Sequence, residues 1–151
     1  MVKVAPNLYV GDALDVKTAE ERGYSIISAG KEFHRRLLGY EGQSAPKDKD
    51  YLWAERPHHL YLNLVDSESP DYIPKELIEH AIQFITDQLN LGNKVLVHCS
   101  EGMSRGPSIA LIWMQRFQLL PASGNAAMKK FRKIYPQYSP RGGMKGYIQR
   151  G

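Results

Sequence analysis

Residues 98–108 read HCSEGMSRGPS and hold the only cysteine of the chain, Cys99, with Gly102, Ser104 and Arg105 following within six positions. An apolar run, KVLVHC (94–99), leads into this segment, and a helix-period pattern with Ile109, Ala110, Ile112 and Trp113 follows it. A strand, a tight loop and a helix N-terminus together make an anion site. The first-turn N–H groups lack partners within the helix and carry the positive end of its dipole. Gly102 lets the loop turn with its backbone close to a ligand. Arg105 offers a planar fork that holds two phosphate oxygens at once. The same surroundings favour a thiolate over a thiol. A thiolate beneath a bound phosphorus atom is an in-line nucleophile, and the product is a covalent phosphocysteine.

The elements that must position this loop can be read from periodicity. LYVGD (8–12) reads as a short strand, DVKTAEERG (15–23) as a helix stopped by Gly23, and SIISAG (25–30) as a second strand. KEFHRRLLG (31–39) has the pattern of a further helix. Residues 40–59, rich in Gly, Pro and charge, read as a long surface loop, with Tyr51 and Trp53 pinning it and with His58 and His59 as ordinary loop residues. LYLNLVD (60–66) alternates like a strand and ends in the acidic DSESPD. Helices are expected from Pro74 to the stop at Gly92, from about Arg105 to Phe117 and over 121–135, and a short one closes the chain. Strands alternating with helices predict a single α/β domain over 1–151, with a central, mostly parallel sheet flanked by helices.

The totals exclude several classes. Apolar residues at 42% and charged residues at 24% suit a soluble globular domain, and no apolar run reaches the ~20 residues that span a bilayer. One cysteine rules out an internal disulfide framework and a multi-cysteine metal site. No metal, cofactor or membrane insertion is expected. With no readable export or lipidation signal, a cytoplasmic location is expected. Charge is asymmetric: residues 1–101 carry 11 Lys/Arg against 16 Asp/Glu, whereas residues 102–151 carry 9 Lys/Arg and no acid. A one-signed segment attracts anions, and nucleic acid, acidic lipid and phosphorylated ligands all meet that description.

HCSEGMSRGPS resembles the H-C-x-x-G-x-x-R signature of cysteine-dependent protein phosphatases, and most closely the compact dual-specificity group. VLVHC before it, SIALIWM after it and LYVGDA near the start extend the likeness over most of the chain. The resemblance implies a dual-specificity phosphatase-like fold, Cys99 as nucleophile and Arg105 as phosphate clamp. It also implies a cradle formed by Ser100, Glu101, Gly102, Met103, Ser104 and Arg105, with His98 and Ser104 in support. The family's general acid is an aspartate about thirty residues before the cysteine. Asp66, Glu68 and Asp71 precede Cys99 by 33, 31 and 28 positions. Asp66 is favoured, at the end of a strand, with Glu68 and Asp71 as alternatives. His98 is expected on the opposite side of its strand from Cys99.

The family often carries Ser or Thr after the arginine, where it stabilises the leaving thiolate in the second step; here Gly106 stands there, and Ser104 or Ser108 would have to substitute. Glu101 disfavours polyphosphorylated inositols. The implied substrates are phosphorylated proteins or peptides, carrying phosphotyrosine and, through a shallow pocket, phosphoserine or phosphothreonine. A low-turnover phosphate-recognition module and an RNA 5′-end or nucleotide phosphatase are the alternatives, although nucleic acid is not expected because stacking motifs are absent. Tyr138, Arg141 and the 40–59 loop are candidates for the rim.

Overall fold

The computed structural model describes residues 1–42 and 44–151. A six-stranded sheet runs in the order β1 (Val2–Ala5), β2 (Leu8–Gly11), β6 (Val95–His98), β3 (Ser25–Ala29), β5 (His59–Leu62), β4 (Trp53–Arg56). The inner pairings β2–β6, β6–β3 and β3–β5 are parallel, and the two edge pairings are antiparallel. The expected parallel centre is therefore present, and the sheet is mixed at its edges.

Helices α1 (Val16–Glu21), α2 (Lys31–Leu38), α3 (Lys75–Asn90), α4 (Arg105–Arg116), α5 (Gly124–Ile134) and α6 (Gly142–Arg150) cover both faces. Every residue of β3 and β6 is buried, as sandwiching between two helical layers requires. Alternation divides their side chains. Ile27, Val95, Val97 and Cys99 join the large core built with α3–α6, while Ile26 and Leu96 pack on the opposite face with Ala19 of α1. Helix α3 forms as its spacing predicts, burying Leu77, Ile78, Ala81, Ile82 and Ile85 on one side.

The 40–59 segment is not a loop throughout. Residues 53–56 form edge strand β4 and His59 begins β5, so the irregular part ends before Trp53; Gln43, within the predicted loop, lies outside the described residues. β4 escaped notice because an edge strand needs only one buried position. In WAER that is Ala54, and the charged Glu55 and Arg56 face outward. The segment is held by His34, whose ring bonds the Asp50 carbonyl at 2.7 Å, by Asn63, which donates to the Tyr51 carbonyl at 2.9 Å, and by Trp53 stacked 4.1 Å from the His80 ring.

Candidate active site

The four parallel strands β2, β6, β3 and β5 end together, with Gly11 and Ser28 level with His98, and Ala29 level with Leu62. The chain leaves β6 at this carboxyl end, turns through residues 99–104 and enters α4, so the loop sits where ligands bind in open parallel sheets.

The carbonyls of the loop are pinned by its surroundings. Ser100 O accepts from Ala13 N–H at 3.2 Å, Met103 O from Ser139 N–H at 2.8 Å and Ser104 O from Ser108 N–H at 3.0 Å. Gly102 O accepts from the Tyr135 hydroxyl at 2.6 Å, and Cys99 O from the His98 ring at 3.2 Å. In a trans peptide the following N–H points the opposite way. Each of these five bonds therefore directs the N–H of residue 100, 101, 103, 104 or 105 away from the partner that holds the preceding carbonyl. Among the described residues, the N–H groups of 100–104 donate to no main-chain acceptor. Burial, with the Cys99, Asp12 and Asp15 charges adding to it, pushes the Tyr135 hydroxyl up to about 12, so it stays a donor. Gly102 has φ +71°, and a Cβ there would stand 3.0 Å from Gly11 O and from the Tyr135 hydroxyl; both conformation and space require glycine.

Cys99 is 3% exposed, on the core side of β6. Arg105 opens α4 and folds back beside the loop. Its Nη1 and Nη2 donate to the two oxygens of Glu32 at 2.7 and 3.0 Å, and Nη1 also reaches the Leu64 carbonyl at 3.2 Å. Nε is buried and has no partner among the described residues, which leaves an N–H of the cation for an anionic ligand. Glu32, in the first turn of α2, also accepts from Ser100 Oγ at 3.0 Å. Burial raises its carboxyl pKa, but the Arg105 bonds and charge outweigh this and hold it below the usual range. For Arg105, burial lowers the pKa and the pairing with Glu32 more than restores it. Gly30 makes the pair possible, because a Cβ there would overlap the Glu32 carboxylate and lie 2.8 Å from Arg105 Nη1. Sequence reading missed Glu32. The available signal was an acid in the first turn of a helix that follows a central parallel strand.

The three acidic candidates separate. Asp66 accepts from Ser104 Oγ at 3.0 Å, which ties it to the loop. Glu68 pairs with Arg141 at 2.6 Å and Asp71 with Arg150 at 3.1 Å, all four side chains being more than half exposed. Ser104 Oγ also accepts from Arg141 N–H at 3.0 Å and does not cap α4, whose N-terminus keeps its free donors. Of the rim candidates, Arg141 is exposed, but Tyr138 is 3% exposed and lies in the core, its hydroxyl 2.8 Å from Ser108 Oγ. Met103 and Glu101 are exposed on the loop. His98 is buried on the opposite side of β6 from Cys99, as alternation requires, and contacts Ser28.

Gly106 has a structural reason. A Cβ at this position would lie 3.0 Å from the His98 carbonyl carbon and 3.2 Å from Cys99 N, so a side chain here requires the end of β6 or the first turn of α4 to shift by a few tenths of an ångström. The nearby serines, among them the substitutes Ser104 and Ser108, each have another partner. Ser100 is bound to Glu32, Ser104 to Asp66, and Ser108 to Tyr138. Gly106→Ser is therefore expected to push the first turn of α4 away from β6 and destabilise the fold by about 1–3 kcal/mol. Chemical denaturation of the two proteins checks this, and unchanged stability would show that the close approach relaxes freely.

Comparison with known proteins places these features in context. Residues 44–149 match the family model "Dual specificity phosphatase, catalytic domain". Dual specificity protein phosphatase 15 of Mus musculus is 28% identical over 115 residues, covering 76% of this chain and 42% of its own length. Dual specificity protein phosphatase PHS1 of Arabidopsis thaliana is 29% identical over 141 residues, covering 93% of this chain and 14% of its own. The chain spans about half or less of the length of the curated relatives it matches. The crystal structure of human DUSP28 superposes with a TM-score of 0.70 at 18% identity, covering 99% of this chain and 94% of that one. The human tyrosine phosphatase-like serine/threonine/tyrosine-interacting protein gives 0.69 at 17% identity, covering 98% and 92%. The structural matches establish the fold.

Proposed function

As a member of the dual specificity phosphatase catalytic domain family, the chain, we propose, hydrolyses phosphoric monoesters on tyrosine, and on serine or threonine, through a phosphocysteine at Cys99. The observation that carries this reading is the loop itself. A buried cysteine opens it, its N–H groups 100–104 donate to no main-chain acceptor among the described residues, and the guanidinium of Arg105, which ends it, is braced by Glu32.

In the first step the Cys99 thiolate attacks phosphorus, and the bond to the leaving oxygen breaks. Loop N–H groups and Arg105 stabilise the charge on the three equatorial oxygens. Asp66 gives its proton to the departing alkoxide or phenoxide. In the second step water attacks phosphorus, Asp66 takes a proton from it, and the S–P bond breaks to return the thiolate and free phosphate. The tie between Asp66 and Ser104 supports the choice of Asp66 over Glu68 and Asp71, which are engaged by arginines at the surface.

The basic C-terminal third does not favour the RNA alternative. Arg116 pairs with Glu79 and Arg150 with Asp71, while Lys129, Lys130, Arg132 and Lys133 are exposed on α5. The exposed Glu101 on the loop repels a polyanion.

Two results are expected. With excess p-nitrophenyl phosphate, the first turnover releases close to one equivalent of nitrophenol before a slower steady state. Cys99 then gains one phosphoryl group by mass, because no serine is free to help the thiolate depart. Phosphate binding without any release would instead favour the recognition-module reading. Asp66→Asn is expected to lower the burst rate and kcat/KM for phenyl phosphate, whose leaving group needs a proton, by about 10²-fold while sparing both for esters of acidic phenols. An equal loss of kcat/KM on both kinds of ester would remove Asp66 from that role.

A further inference from the structure

On the face of the sheet opposite Cys99, four polar side chains form a chain that the proposed chemistry does not use. The strand register sets Ser28 level with Tyr61 of β5 on one side and with His98 of β6 on the other. Ser28 Oγ lies 2.6 Å from His98 Nε2 and 2.7 Å from His59 Nε2. His59 Nδ1 lies 3.1 Å from the Tyr61 hydroxyl, and their rings stack at 3.9 Å. At the far end His98 Nδ1 lies 3.2 Å from the Cys99 carbonyl oxygen.

The direction of every bond follows from one acceptor. A carbonyl oxygen cannot donate, so His98 Nδ1 carries the hydrogen. Burial keeps both rings neutral near pH 7: His59 is pushed down to about 4 by burial and the neighbouring His98. His98 is also lowered by burial, which outweighs the Cys99 carbonyl and the charges of Asp15, Asp12 and Glu32. A neutral ring has one N–H, so His98 Nε2 is bare and accepts from Ser28. The single Ser28 proton is then used, and Ser28 must accept from His59 Nε2–H. His59 Nδ1 is bare and accepts from Tyr61.

We infer that Tyr61, His59 and Ser28 are positioning residues that lock His98 as its Nδ1–H tautomer and thereby aim the Ser100 N–H into the phosphate cradle. The peptide plane carries the effect, because the Cys99 C=O and the Ser100 N–H point in opposite directions. With the other tautomer a bare Nδ1 would face the carbonyl lone pairs, and the peptide would turn to relieve the repulsion. A cavity of about 340 Å³ bordered by Ser28, Phe33, His59, Tyr61 and His98 gives an unpinned ring room to move. The catalytic consequence rests on the reading of Cys99 as nucleophile, whereas the tautomers stand without it.

The test uses ¹⁵N-histidine NMR of the whole chain at neutral pH, assigned through Ser28→Ala and His59→Gln. His98 is expected to show a protonated Nδ1 and a bare Nε2, and His59 the reverse. A protonated Nε2 on His98, or two protonated nitrogens on either ring, overturns the relay. Ser28→Ala is expected to mix the His98 tautomers, weaken binding of inorganic phosphate about tenfold and lower kcat/KM for p-nitrophenyl phosphate by a similar factor. Ser28→Thr, which keeps the hydroxyl, is expected to restore all three. Altered thermal stability with tautomer and phosphate affinity unchanged would reduce the cluster to packing. An inactive wild type with the expected tautomers would count against the proposed hydrolysis and leave the lock standing.

Discussion

Cys99→Ser is expected to abolish turnover of aryl phosphates, by about a thousandfold or more, while leaving phosphate binding and the fold in place. That loss corresponds to roughly 4 kcal/mol or more of transition-state stabilisation. A serine hydroxyl is isosteric with the thiol, and Cys99 is buried, so the substitution disturbs packing little. The serine hydroxyl remains protonated, because its proton is far harder to remove than that of a thiol. The loop N–H groups and Arg105 are untouched, so the variant should still bind phosphotyrosine peptides. Steady-state hydrolysis and peptide titration, run side by side on both proteins, separate chemistry from recognition. Equal hydrolysis by the two would mean that the reaction does not pass through Cys99.

Arg105→Lys is expected to lower kcat/KM by about 10²–10³-fold despite the conserved charge. The guanidinium is used on two sides at once, since both terminal nitrogens engage Glu32 and one also holds the Leu64 carbonyl. A lysine cannot span the carboxylate and present a second donor edge to phosphate. The Glu32 carboxylate, held below the usual range by the arginine, would be left poorly compensated beside an anionic ligand. Repulsion then adds to the lost donor. The loss should appear in both KM and kcat, because the clamp acts on bound ester and transition state alike. A change in KM alone would limit Arg105 to docking.

The proposed reactive centre was legible because it is contiguous. Cys99, Gly102 and Arg105 fall within seven residues, and the apolar run and helix pattern around them state which element each belongs to. The main strands and helices were legible for the same reason, since each buries a face whose period is local. What escaped was either too polar or too distant. β4 has a single fully buried position, so its pattern could not be told from that of a charged loop. Tyr138 looked like a rim residue among Pro, Ser and Arg, yet it is buried against Phe131 and Ser108.

The sequence by itself determined the α/β class, and it put the proposed nucleophile and clamp in one loop and the candidates for the proposed proton donor in a short acidic window. The tertiary structure decided which acid in that window is tied to the loop, and it brought Glu32 to Arg105 across 73 positions. It also set Ser28 between His59 and His98, from three different strands. Local periodicity reports only which face of an element is buried. Partners from separate elements are chosen by strand order and register, and those depend on how the whole chain packs.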